Sequence, residues 1–448
     1  MIVDLVLNNA NAYFENGIVN CSIAVDHGKI VRIGREASMP HAAGKVDLKS
    51  LLVLPGLIDA HVHLRDEGKA YKEDFCSGTA AAAAGGFTTV LDMPNNKPTT
   101  MSLETLRNRM SIAAKKLLVN VGFYSEFPED TNEIERIVEE GIVAFKLFMT
   151  EQVGGLDISD EHALLRAFRN LSGLGIPVAV HAEDRVLLEK NRGRLERASQ
   201  NGVQAFLKAH SENVEVKAID RIIGIAKRAK THVHFCHVST RRGLNAICNE
   251  KAFSMPITCE TTPHNLFLTP DDLIKTGMLA VTMPPVREKK HITALWRGVK
   301  DGCVDILASD HAPHALEEKK AKSIWDVKVG IPGLETTLPL LLTAVKLGRL
   351  SLADVVRLMS RKPAEIFGLK GRGSLEEGNV ADLTVVDLNR EYKIDASKFH
   401  SKVKYSPFDG WKVEGKPVKT FVNGKLVMDE GRIVAKMGTG RIVRREYP

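Results

Sequence analysis

Eight short apolar runs occupy the middle of this chain, from about Pro55 to Leu369, each ending in polar or ionisable residues and each followed by a stretch of helical texture. They read LPGLIDAHVHL, FTTVLDM, LLVNVGFYS, IVAFKLFM, PVAVHAE, HVHFCHVS, MPITCETTP and DILASDHAP. Such runs are the pattern of strands covered on both faces, as in parallel sheets whose crossovers are helices. Eight strand-then-helix units predict an α/β fold, a TIM-like (β/α)₈ barrel. A doubly wound sheet has nearly the same period. The position of the polar clusters, at the end of each run, favours the barrel, because a barrel gathers its chemistry at the C-terminal ends of its strands.

The chain ends have a different texture. Ile2 to Leu7, Cys21 to Val25 and Ile30 to Ile33 are short apolar runs separated by Asn, Gly and Asp turn signals. The same texture returns in Leu383 to Val386 and in Val418 to Met428, where Asn423-Gly424 is a two-residue hairpin signal. Both ends are therefore expected to build one small β-sandwich, from 1–54 and 371–448, beside a barrel over 55–370. A length of 448 residues suits one large barrel and one satellite. Ala80 to Ala84 followed by Gly85-Gly86 predicts a tightly packed helix and its end.

Hydrophobic residues at 44% and charged residues at 26% are the balance of a globular protein rather than a disordered or membrane one. The net charge of +7 is the small difference between 62 basic and 55 acidic residues, and its densest basic run, Arg441 to Arg445, reads as a solvated tail. No nucleic-acid partner is implied. The six cysteines form no CxxC pair, so they are expected to be reduced and mostly in the core, without a disulfide framework or zinc ribbon. The start, MIVDLVLNNANAYFENGIVN, has neither a basic n-region nor an apolar h-region, and no membrane span is evident, so a cytoplasmic location is expected.

The sharpest local signal is Asp59-Ala-His61-Val-His63-Leu-Arg65. Residues two apart in a strand share a face, so His61 and His63 can point at one metal ion, with Asp59 on the same face able to orient a ligand histidine. His181, His237 and Asp310 end later runs and supply ligands from separate strands to the same rim. His237 is taken as the ligand over His232 and His234 because it ends its run. Lys146 sits in the apolar segment Ala144 to Met149, where a buried ammonium is costly. Two readings stand on the residues alone: a lysine reaching solvent, or one carbamylated by CO₂ into a carboxylate that bridges two metal ions.

In this order, the HxH strand, the AFKLFM lysine, the VHAE and CHVS histidines and the SDH aspartate resemble the amidohydrolase superfamily. The resemblance covers essentially the whole chain and lies in the cyclic-amidase branch that contains dihydroorotase, hydantoinase and allantoinase. It implies two Zn²⁺ ions, bridged by carbamylated Lys146 and a hydroxide. His61, His63 and Asp310 would hold the more buried ion, His181 and His237 the other. Asp310 would also be the catalytic proton carrier.

Arg65, Asn95 and His314 are similar to the dihydroorotase set that grips a substrate carboxylate, with His63 beside it; Val329 and Gly330, in VGIPGLET, would offer backbone groups to the ring. The function implied is reversible hydrolysis of dihydroorotate to N-carbamoyl-aspartate in pyrimidine biosynthesis. The alternatives are a hydantoinase or allantoinase, or a non-catalytic scaffold, which would be expected to have lost ligands. The partners implied are a small-molecule substrate, a second copy of the chain and aspartate transcarbamoylase. Three places depart from the family pattern or compete with it: Met283 precedes Pro284-Pro285 where asparagine is usual, Asn265 follows His264 where a second histidine is usual, and Asp157 competes with Lys146 as the bridge.

Overall fold

The computed structural model describes residues 2–446. Alternating apolar and polar residues at the N-terminus form β1 (Ile2–Phe14), β2 (Gly17–Asp26), β3 (Lys29–Gly34), β4 (His41–Asp47) and β5 (Leu52–Pro55). Every residue of β5 is buried, and the chain passes straight from it into the first of eight parallel strands. These are β6 (Leu57–Val62), β7 (Phe87–Asp92), β8 (Asn120–Glu126), β9 (Ala144–Phe148), β10 (Val178–His181), β11 (Val233–Phe235), β12 (Ile257–Thr261) and β13 (Ile306–Leu307). Each comes from one of the eight apolar runs, and they pair in sequence order from β6 to β13.

The sheet closes on itself through a parallel bridge between Val62 and His311 and the bond from His63 N–H to His311 O, 2.8 Å. Helices alternate with the strands, so the architecture is the TIM-like barrel that the runs predict. The helix Glu161–Leu171 shows why. Asp160 caps it by accepting from the N–H groups of His162 and Ala163, and Leu164, Leu165, Phe168 and Leu171 bury one helical stripe. The helix Phe75–Ala84 packs Ala80 to Ala83 inside and ends at Gly85, where a Cβ would meet the Leu334 carbonyl oxygen at 2.1 Å. No larger residue fits that approach.

After the barrel come β14 (Leu383–Lys393), β15 (Lys412–Val422), β16 (Lys425–Asp429) and β17 (Arg432–Ile433). They join the N-terminal strands in one nine-stranded sheet, where β14 pairs with β5, so both chain ends build the satellite. Asn423 and Gly424 turn β15 into β16 with φ of 49° and 77°, the left-handed pair that a tight hairpin demands.

Two expectations are corrected. Cys248, on the helix Arg241–Ala252, is disulfide-bonded to Cys303, just ahead of β13, with Cα atoms 5.7 Å apart across 55 residues of sequence. The pair is created by helix-on-barrel packing, for which sequence spacing gives no motif. The run Arg441 to Arg445 is not a solvated tail. Its backbone pairs with the barrel through Val121 N–H to Arg441 O, Val443 N–H to Val121 O and Arg445 N–H to Gly141 O, and Val443 is buried. Ile442 and Val443, adjacent between the arginines, let the segment pack while Arg441 and Arg444 stay exposed.

Candidate metal centre

The candidate ligands sit where the barrel strands run out. His61 is the last residue but one of β6, with His63 just beyond it; His181 ends β10, and His237 and Asp310 follow β11 and β13. Arg65, His237 and Asp310 have positive φ, +62°, +36° and +48°. Non-glycine residues adopt that region at a cost, and such outliers cluster at functional sites, where the surrounding structure holds them.

His61 Nε2 and His63 Nε2 each lie 3.4 Å from the same Asp310 oxygen. His181 Nδ1 lies 3.0 Å from His237 Nε2, and the rings of His61 and His237 are 5.2 Å apart. All five side chains are therefore brought together. Lys146 is wholly buried; among the described residues its Nζ meets the Cys236 thiol at 3.1 Å and faces the Phe148 ring at 4.9 Å, with no carboxylate paired to it. It does not reach solvent. Asp157 lies on an exposed loop, where its carboxylate accepts from Ser159, so it does not converge on the centre.

The electrostatics are those of a donor set kept ready for cations. Burial, with Arg65 behind it, lowers His63 to about 3, and burial beside three other imidazoles and Lys146 holds His237 well below its ordinary value. Burial works to raise Asp310, but the imidazoles of His61, His63 and His264 outweigh it and keep the carboxyl ionised. Neutral imidazoles and an ionised carboxylate are the forms that bind a metal.

Several anchors escaped the sequence reading. Glu260, ending in β12, accepts from His61 Nδ1 at 2.5 Å and from His234 Nε2 at 3.2 Å. Glu183 does the same for His181 Nε2 at 3.1 Å and His210 Nδ1 at 2.8 Å. These carboxylates, not Asp59, hold the rings of the candidate ligands His61 and His181. Asp59 instead accepts the backbone N–H groups of His61 and Ser309, tying β6 to the strand that closes the barrel; burial raises it to about 7. The signal for Glu260 and Glu183 was present, since both stand in the polar ends of runs already singled out. Cys236 joins His61 and Glu260 in a second cluster of donor atoms.

The residues read as substrate-binding lie beside the histidines. Asn95 Oδ1 accepts from His63 Nδ1 at 2.7 Å, and Arg65 Nη2 lies 3.3 Å from His314 Nε2. Among the described residues Arg65 Nε has no partner, and His264 is buried with Nε2 unpaired. The Val329-Gly330 loop runs beside His311 and Ala312, which follow β13, and the Gly330 N–H is already given to Val281 O at 2.9 Å.

Residues 52–427 match the model of the amidohydrolase family. The chain belongs to that family. This amidohydrolase is 38% identical over 442 residues to a dihydroorotase of Methanothermobacter thermautotrophicus, covering 97% of this chain and 98% of that one. It is 33% identical to an L-hydantoinase of Paenarthrobacter aurescens, over 99% of each. The solved L-hydantoinase (dihydropyrimidinase) of Arthrobacter aurescens superposes with a TM-score of 0.95 at 33% identity, covering 99% of this chain and all of that one. The metal dependence of the family fits the donors here: His61, His63 and Asp310 lie close enough to share one ion, and ring nitrogens of His181 and His237 face each other 3.0 Å apart. Among the described residues no helix is long and apolar enough to cross a membrane.

Proposed function

We propose that this amidohydrolase is a dihydroorotase. It interconverts dihydroorotate and N-carbamoyl-aspartate by breaking and forming a cyclic amide, a step of pyrimidine synthesis. The observation that carries the reading is the placement of Arg65, His314 and Asn95 against the metal ligands. A guanidinium, an imidazole and an amide side by side suit a carboxylate on the ring being opened. Relatives named dihydroorotase, 35–38% identical over nearly the whole chain, support it.

In this reading His61, His63 and Asp310 would hold one zinc ion and His181 and His237 the other, with carbamylated Lys146 as a ligand between them. The burial of Lys146 without a carboxylate partner supports carbamylation, since it turns a costly ammonium into a ligand. Metal ions held there would supply an acidified water and a Lewis acid for the ring carbonyl. Asp310 takes the proton released during attack and passes it to the departing ring nitrogen. Glu260, Glu183 and Asn95 fix which imidazole nitrogen faces inward. In the synthetic direction the same groups run in reverse.

The test compares ring opening of dihydroorotate, hydantoin and allantoin by metal-replete protein and by Arg65→Ala. Turnover of dihydroorotate is expected, with kcat/KM falling about 100-fold or more in the variant, as for loss of a charged hydrogen-bond partner of a carboxylate. Turnover of the neutral rings instead, indifferent to Arg65, would show a hydantoinase or allantoinase, the reading that the L-hydantoinase relatives favour.

A further inference from the structure

Behind His314, on the side away from Arg65, two opposite charges meet at one ring nitrogen. Lys72 Nζ lies 3.1 Å from His314 Nδ1, and Glu318 Oε2 lies 3.2 Å from the same atom. Lys72 and Glu318 also pair with each other at 2.8 Å. The Tyr71 hydroxyl donates to Glu318 Oε1, and the Ala315 N–H to Glu318 Oε2, so the carboxylate is held in place. Arg65, Lys72 and His314 are all buried, each at most 6% exposed. Neither Lys72 nor Glu318 reaches the reacting atoms in the proposed function.

We propose that Lys72 and Glu318 are positioning residues that select which nitrogen of His314 carries its proton, and so switch its grip on an anionic substrate. The inference rests on the carboxylate reading above. A neutral imidazole has one N–H and one acceptor nitrogen. With the proton on Nδ1, His314 donates to Glu318, and Nε2 accepts from Arg65 Nη2, 3.3 Å away. The site is then self-satisfied and His314 offers the substrate nothing. With the proton on Nε2, Nδ1 accepts from Lys72, and two donors, Nε2–H and the Arg65 guanidinium, face each other. Two facing donors need a shared acceptor, and a carboxylate oxygen supplies it.

Passing from the first state to the second releases the Nδ1 proton to water and takes one from water at Nε2, so the ring is neutral in both. Burial and the cations Arg65, Lys72 and Lys319 disfavour the doubly protonated ring, which leaves these two states to compete. Lys72 stabilises the gripping state and Glu318 the resting one.

Opposite effects of the two neighbours distinguish this from a plain ion pair. The experiment measures KM and kcat for dihydroorotate, and the Kd of orotate by calorimetry, in wild type, Lys72→Met, Lys72→Arg and Glu318→Gln. Lys72→Met is expected to raise both KM and Kd about 10- to 100-fold, as for a lost charge-assisted hydrogen bond, with a much smaller change in kcat. Lys72→Arg, which keeps a donor, restores most of the affinity, and Glu318→Gln leaves KM and Kd equal to wild type or lower. Lys72→Met binding orotate within twofold of wild type would sink the inference and leave the dihydroorotase reading intact. Lys72→Met and Glu318→Gln weakening together would do the same, by showing a merely structural pair. A wild type that neither binds orotate nor opens dihydroorotate overturns both.

Discussion

Glu126 ends β8 as a buried carboxyl whose Oε1 has no partner among the described residues, and burial raises it to about 8. Its folded-state value lies above the ordinary one, so the native state keeps a proton that the unfolded chain releases as pH rises past about 4.5. Stability should therefore fall between about pH 4.5 and 8, by an amount on the order of 5 kcal/mol for the full shift. Glu126→Gln, neutral at every pH and nearly the same shape, is expected to melt several degrees above wild type at pH 9 and close to it at pH 5. Equal melting temperatures for the two proteins at both pH values would count against a protonated Glu126. The residue also marks where sequence reading stops at this scale. The HxH pair, Lys146, His181, His237 and Asp310 could be picked out as candidates because ligand chemistry has a local signature at strand ends. Glu183 and Glu260 stand in the same polar ends, but their partners could not be read, because a carboxylate at a strand end does not say which ring nitrogen it will face, as Asp59 illustrates, and Glu126 has no local signature at all.

At the scale of elements, all eight barrel strands were legible, because fully buried parallel strands are written as unbroken apolar runs. The C-terminal segment was not, because its apolar residues are few and its arginines dominate any charge count. It pairs with Val121 near the start of β8 and with Gly141 before β9, at the end of the barrel opposite the histidines. Contacts at that end bear on stability, whereas the strand C-termini bear on chemistry. Removing residues 439–448 loses the burial of Val443 and a short ladder of backbone bonds, together worth about 2–4 kcal/mol. The melting temperature is expected to fall by several degrees while KM for the ring substrate holds, measured on the same preparation. A large rise in KM with an unchanged melting temperature would mean that the segment acts on the site instead.

For the whole molecule the question is whether barrel and satellite fold as one body, and the answer turns on Asp382. It precedes β14, yet its backbone oxygen accepts from Gly56 N–H at 2.8 Å, where the chain enters the barrel. Its carboxylate accepts from Asn120 Nδ2 at 3.0 Å, in β8, and from Asn423 N–H at 2.7 Å, in the satellite hairpin, while Arg372 lies 3.5 Å away. Asn423 Nδ2 donates to Asn120 Oδ1 at 2.9 Å, closing the circuit between the two parts. The chain leaves the satellite after β5 and returns to it at β14, so the satellite sheet cannot assemble until the two ends are brought together, and a completed barrel does that. Coupling of this kind predicts one cooperative unfolding transition for the wild type in calorimetry. Asp382→Ala leaves buried donors from both parts and the Arg372 guanidinium without their acceptor, which costs about 3–5 kcal/mol. Because the loss falls on the junction rather than on either core, the variant is expected to show two resolved transitions. A single transition at a lower temperature would mean that the apolar contact between sheet and barrel, including Leu52, Leu54, Val422 and Met428 in the barrel's own core cluster, is enough to keep the two parts cooperative without the polar circuit.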